Sequence, residues 1–195
     1  TASSTCASNS TNATATLGIY YFAQPTDSTS SLFSAQNWLA TVIFKDVSNA
    51  TGSGDAPGVE LNSLTAVNVT TSSINYGTLA ANSTSPTSRV TTSTNAGNTS
   101  TTLKLSANST LTKGTDSIAT TSQHYATATF TYGADEQLLQ ETATAVAGSI
   151  MTAPTSTTNV NRAMFWQLNV PAGKPTGTYA GVNLFTAVYV TSTPL

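Results

Sequence analysis

Arg162-Ala-Met-Phe-Trp-Gln-Leu-Asn-Val170, then Pro171-Ala-Gly-Lys-Pro-Thr-Gly177, then Thr178-Tyr-Ala-Gly-Val-Asn-Leu-Phe-Thr-Ala-Val-Tyr-Val190 is the stretch that decides the fold class. Two runs rich in aromatic and β-favouring residues flank a connection punctuated by Pro171, Gly173, Pro175 and Gly177. This pattern predicts two strands joined as a tight hairpin. In the first strand Met164, Trp166 and Leu168 share one face, and Phe165, Gln167 and Asn169 the other. In the second, Val182, Leu184, Thr186, Val188 and Val190 alternate with Asn183, Phe185, Ala187 and Tyr189, so both faces are substantially apolar. A strand of that kind suits the middle of a sandwich, or a surface that a neighbour covers.

Composition points the same way. Only 7% of the 195 residues are charged, against roughly 25% in ordinary soluble domains. Ser and Thr fill 65 positions, so hydroxyls replace charges as the solvating groups. With 38% hydrophobic residues and aromatics interleaved throughout, the chain has the means to build a core and is not a disordered stalk. Thr, Val, Ile and Tyr fit a pleated surface, whereas helix formers are scarce. The fold class is all-β. A net charge of −2 predicts no electrostatic nucleic-acid or anionic-membrane partner, and no apolar run is long enough for membrane insertion by a helix. The opening Thr1-Ala-Ser-Ser reads as a terminus left by export processing.

Outward from the closing stretch, turn signals recur every eight to twelve residues, the spacing of a β-sandwich. Residues 1–16 read as a polar arm or edge strand, 17–66 as an N-terminal β-rich region, and 67–195 as one immunoglobulin-like antiparallel β-sandwich; two small sandwiches in tandem are the alternative. Strands are expected at Leu17–Ala23, Asn37–Asp46, Val59–Thr70, Ser73–Leu79, Arg89–Asn95, Thr101–Ala107, Tyr125–Tyr132 and Gln137–Thr144. Ser48–Gly58, rich in Gly and Ser with Asn49, Asp55 and Pro57, reads as loop. Gly97 is expected to supply positive φ in a hairpin turn. Tyr179, just past Gly177, is placed to return its hydroxyl to nearby backbone.

Ile74-Asn-Tyr-Gly-Thr-Leu79, the Ser/Thr-rich turn after it, Val90-Thr-Thr-Ser-Thr-Asn-Ala-Gly-Asn98 and Leu103-Lys-Leu-Ser-Ala107 resemble ASPM- and Hydin-type immunoglobulin-like repeats and bacterial choice-of-anchor surface modules. The tail from Trp166 to Gly181 is similar to the final hairpin of such modules. With Tyr20-Tyr-Phe-Ala-Gln-Pro-Thr-Asp27 and Asn37-Trp38, the chain resembles secreted β-proteins of candidate-phylum bacteria and small archaea. The turn Ala80-Ala-Asn-Ser83 departs from the pattern, which usually has Gly there. The resemblance implies a sandwich and export, not an activity, because such sandwiches host unrelated roles.

Residues that carry chemistry are sparse. His124 is the sole histidine, and no Gly-x-Ser-x-Gly elbow accompanies it. A triad would have to recruit Asp116 or Asp135; the plainer reading is a strand-end histidine beside Tyr125. Asp135, Glu136 and Glu141 are enough for paired carboxylates, yet suit a solvated loop equally. Cys6 excludes an intrachain disulfide and leaves a bland terminal residue, an intermolecular bridge or a metal contact. Asp46, Asp55 and Glu60 are oxygen donors for calcium without EF-hand spacing. A buried Lys45 or Lys104 beside an acid would suit an isopeptide bond. No cofactor motif is present, and an enzyme is not expected.

Seven Asn-x-Ser/Thr sequons occur, at Asn9, Asn12, Asn49, Asn68, Asn82, Asn98 and Asn108. Chance alone supplies about five in so Asn- and hydroxyl-rich a chain. The leading functional expectation is a structural subunit of an extracellular filament, pilus or surface layer, whose partners are copies of itself joined head-to-tail by β-strand addition. Val182, Leu184, Phe185, Val188 and Val190 are the expected subunit contacts, and the polar arm or the closing strand the donor. The alternative is a monomeric adhesin or carbohydrate-binding module using Trp38, Trp166 or the Tyr20/Tyr21 pair.

Overall fold

The computed structural model describes residues 2–3, 14–27, 32–45, 48–71, 73–134 and 136–190. Cys6, Asp46, Asp135 and the sequons at Asn9 and Asn12 lie outside the described residues. The chain is all-β: apart from one 3-10 turn at Thr120–Ser122, the regular structure among the described residues is strand. It divides into two compact units, Thr1–Ser63 and Leu64–Leu195.

The first unit is sparsely built. Strand β1 (Ala2–Ser3) pairs with β2 (Thr14–Ala15), and β3 (Thr41–Lys45) with β4 (Thr51–Asp55), each antiparallel. β4 occupies the Thr-Gly-Ser-Gly-Asp segment expected as loop. Its residues are all exposed, so ladder bonds to β3 rather than side-chain burial put it in a strand. The strand expected at Leu17–Ala23 is not formed. Ala23 N–H bonds back to the Tyr20 carbonyl, and the Tyr20 ring stacks on Phe22, closing a turn ahead of Pro25. Trp38 joins Val59 through an isolated bridge.

The second unit holds two main sheets around a principal core, with a second, smaller cluster formed by Leu111, Ile118 and Leu168. The larger sheet contains β5 (Val67–Val69), β6 (Ser83–Thr84), β7 (Arg89–Asn95), β11 (Gln123–Ala126), β12 (Gln137–Leu138) and β14 (Asn161–Val170), in the order β12-β11-β14-β7-β5 with β6 also on β14. The smaller has β8 (Thr101–Ala107) between β13 (Thr144–Ala145) and β15 (Asn183–Tyr189). A short ribbon pairs β9 (Leu111–Lys113) with β10 (Asp116–Ile118). Alternation fills the space between the sheets: Leu103, Leu105 and Ala107 face inward from β8, and Met164 and Trp166 from β14. Tyr125 packs on Trp166 at 5.4 Å between ring centroids, and Phe185 reaches Trp166 from the other sheet at 5.9 Å. Aromatic pairs in such tilted geometry add to the area they bury.

Strands adjacent in sequence cross between these sheets. β14 and β15 were expected to pair as a hairpin; instead β14 lies between β11 and β7, and β15 on the edge beside β8. β7 and β8 likewise belong to different sheets, as do β12 and β13. Gly97, in the β7–β8 connection, does not have positive φ. Its glycine serves close approach, since a Cβ there would stand 2.0 Å from the Leu64 carbonyl oxygen. No strand forms over Ser73–Leu79 among the described residues; Ile74 and Tyr76 pack onto the core from an irregular segment. β11 ends at Ala126, short of the expected Tyr132. Tyr179 does return its hydroxyl, to the Pro175 carbonyl at 3.1 Å.

Candidate assembly surface and the His124 cluster

β15 is the longest of the strands that end the two main sheets of the second unit among the described residues, the others being β5, β12 and β13. Asn108 N–H bonds to the Val182 carbonyl at 2.9 Å, and Val190 N–H to the Ser100 carbonyl at 3.0 Å. Between these two bonds the antiparallel register pairs Leu184 with Ser106, Thr186 with Lys104 and Val188 with Thr102. Hydrogen bonding alternates along such a pair, so the even-numbered residues turn their N–H and C=O groups to β8. The groups of Asn183, Phe185 and Ala187 point the other way, where β15 pairs with no strand among the described residues.

The side chains alternate as well. Phe185 packs on the core, whereas Val182 and Leu184 are 55% and 45% exposed. Val188 and Val190 are half-buried. The structure thus groups Val182, Leu184 and Val188 on the outward side of β15 and turns Phe185 inward. An unpaired strand edge beside exposed apolar side chains is a template for another strand.

The first unit carries more exposed apolar surface. Leu39 is 70% and Ile43 71% exposed, and Leu17, Ile19, Tyr20, Tyr21, Trp38 and Phe44 are exposed too. A two-stranded ribbon such as β3–β4 gains little from its own packing. Trp38 nevertheless has its indole N–H tied to the Gln24 carbonyl at 2.9 Å.

Sequence reasoning missed a pairing around His124. On β11 this residue is 8% exposed, with Nδ1 2.6 Å from Glu136 Oε1 and its ring stacked on Tyr132 at 3.9 Å. Glu136 Oε1 also accepts from the Gly133 N–H, while Oε2 is buried without a partner among the described residues. Burial works to raise the Glu136 carboxyl; bonds from His124, Gly133 and its own N–H, with the His124 charge, outweigh that and hold it below the usual carboxylate value. Tyr132 lines a shallow cleft of about 420 Å³ with Ser85, Pro86, Phe130 and Gln167. Among the described residues no hydroxyl or thiol bonds to His124. The pair pins the loop between β11 and β12.

Comparison with protein-family models, curated proteins and solved structures finds no match to this chain. Asp55 spends its carboxylate on the Thr41 hydroxyl at 2.6 Å. No three His, Cys, Asp or Glu side chains converge among the described residues. Lys45 is exposed, and Lys104 sits on β8 between Ala145 and Thr186. Trp166 is fully buried, so of the aromatic residues expected to stack on sugars only Trp38, Tyr20 and Tyr21 remain at the surface. No helix among the described residues is long and apolar enough to cross a membrane.

Proposed function

We propose that this protein is a structural subunit of an extracellular filament, pilus or surface layer, and that copies join head-to-tail by adding a strand to β15. The observation that carries the reading is that β15 pairs with no strand but β8 among the described residues, so that Asn183, Phe185 and Ala187 turn their backbone groups outward beside exposed Val182 and Leu184. Backbone pairing supplies affinity in strand addition, and alternate side chains supply register. The hydroxyl-rich, weakly charged surface fits dense packing of identical copies, because like charges do not accumulate. A contact that is not its own symmetry mate propagates instead of closing.

Electron microscopy of native material tests this directly: fibres or lattices are expected. Ala187→Pro removes an outward N–H and should leave a folded monomer that elutes later in size-exclusion chromatography and forms no fibres. Monomers from native material would overturn the reading. A monomeric carbohydrate-binding module is the second reading, favoured by exposed Tyr20, Tyr21 and Trp38; glycan-array binding by that monomer would select it.

A further inference from the structure

We infer that the protein carries N-linked glycans on the turn residues Asn49, Asn82 and Asn108, and that the sequon at Asn98 stays bare. The inference uses the extracellular setting of the proposed function but not the polymer. Sequence alone ranks the sequons equally; the fold does not.

Asn49 sits in the connection between β3 and β4, exposed, with φ of 68°. Asn82 lies in the turn before β6, exposed, with φ of 59°. Both occupy the left-handed region that asparagine tolerates in tight turns. Asn108 is exposed where β8 ends. The side-chain amides of these three make no hydrogen bond among the described residues, so a sugar displaces nothing. An acceptor asparagine belongs on a surface loop.

Asn98 is the opposite case. It is 4% exposed, and its Oδ1 accepts the Leu64 N–H at 2.6 Å. The Asn98 N–H bonds to the Leu64 carbonyl at 3.0 Å, and Gly97 stands so close that not even a Cβ fits. A sugar on this amide would hold the β7–β8 connection away from Leu64. Asn68 is intermediate, exposed but held in the β5–β7 ladder opposite Thr94, and is not among the assigned sites.

The transfer needs a glycan donor activated as a polyprenyl phosphate or diphosphate. The asparagine Nδ2 attacks the anomeric carbon, an N–C bond forms as the C–O bond to phosphate breaks, the lipid phosphate leaves with the electron pair, and Nδ2 loses one proton. The Asn108 N–H bonds to the Val182 carbonyl, which puts Asn108 on the β8 side of β15. The opposite edge, which strand addition uses, stays open.

Tandem mass spectrometry of native protein tests the inference. Elastase and chymotrypsin are the proteases to use, because six Lys and Arg residues give unwieldy tryptic peptides. Saccharide masses are expected on the peptides holding Asn49, Asn82 and Asn108, and only the bare mass on that holding Asn98. Asn108→Gln should remove one glycan from the intact mass and leave the melting temperature within a few degrees. A bare peptide at any of the three sites, or a glycan on Asn98, overturns the assignment. Unmodified protein that still forms fibres refutes the glycans alone; modified monomers refute the assembly alone.

Discussion

The indole N–H of Trp166 donates to the Thr91 hydroxyl at 2.9 Å, a bond between neighbouring strands β14 and β7 in which both residues are at most 1% exposed. Trp166 also meets Tyr125 and Phe185, so one side chain ties the larger sheet to the smaller. Thr91→Val keeps the shape and strands a buried donor. It should cost about 1–3 kcal/mol, read as a fall in denaturant midpoint at unchanged slope. Trp166→Ala should cost more, about 3–5 kcal/mol, through the cavity it opens. A valine variant as stable as the parent would show that the bond contributes nothing.

Tyr125 predicts a change of the other sign. Its hydroxyl is buried without a hydrogen-bond partner among the described residues, and burial raises its pKa. Tyr125→Phe removes that desolvated group and keeps the ring against Trp166. Stability should rise by about 1 kcal/mol, a gain of a few degrees in melting temperature. A drop of that size would mean the hydroxyl is engaged.

Asn95 and Gly97 form the tightest part of the β7–β8 connection. Asn95 is fully buried; its Nδ2 donates to the Thr99 and Thr152 carbonyls at 2.8 and 3.0 Å, and its Oδ1 accepts the Gly97 N–H at 3.0 Å. Gly97→Ala drives a methyl into the Leu64 carbonyl and should destabilise by about 3 kcal/mol or more. Asn95→Asp turns a carboxylate toward two carbonyl oxygens and should be at least as damaging. Thermal unfolding of the two variants checks both statements. A Gly97→Ala protein with parental stability would mean that Leu64–Ala66 is free to move aside.

These cases show what was legible in the sequence. Alternation over Arg89–Asn95, Thr101–Ala107 and Arg162–Val190 marked four long strands, because burial on one face leaves a period of two. Which strands pair is set by sheet crossings, and Pro171, Gly173 and Gly177 announce a turn without saying whether the chain returns to its own sheet. β4 was unreadable for a different reason: Thr-Gly-Ser-Gly-Asp has no β-favouring pattern, and only ladder bonds to β3 define it. The outward face of β15 could be anticipated from its two-sided apolar pattern. The His124–Glu136 contact could not, since it depends on a loop folding back over twelve residues.

That contact carries a pH dependence. Glu136 has a folded pKa below its ordinary value of 4.5, so it stabilises the fold fully above that value. The contribution fades as pH falls through the folded pKa. Glu136→Gln should cost about 1.5–3 kcal/mol at neutral pH, the range for a hydrogen bond to a charged group. The gap between variant and parent should narrow as pH falls below 4.5 and through the folded pKa. Melting temperatures of both proteins from about pH 7 to pH 3 give the comparison; a gap constant with pH would assign the loss to packing instead.

Two neighbouring prolines separate the roles of the β15 edges. The Ala187 N–H points away from β8 and that of Val188 toward it, as the bond from Val190 to Ser100 fixes by alternation. Proline is tolerated on an edge strand where its missing N–H faces outward. Ala187→Pro should therefore change monomer stability by less than about 1 kcal/mol, and Val188→Pro should cost about 3 kcal/mol or more by breaking the ladder to β8. If assembly uses the open edge, Ala187→Pro abolishes fibres while the fold persists. Fibres that survive Ala187→Pro would place the contact elsewhere, and equal losses of stability in both variants would mean that β15 is paired on both sides.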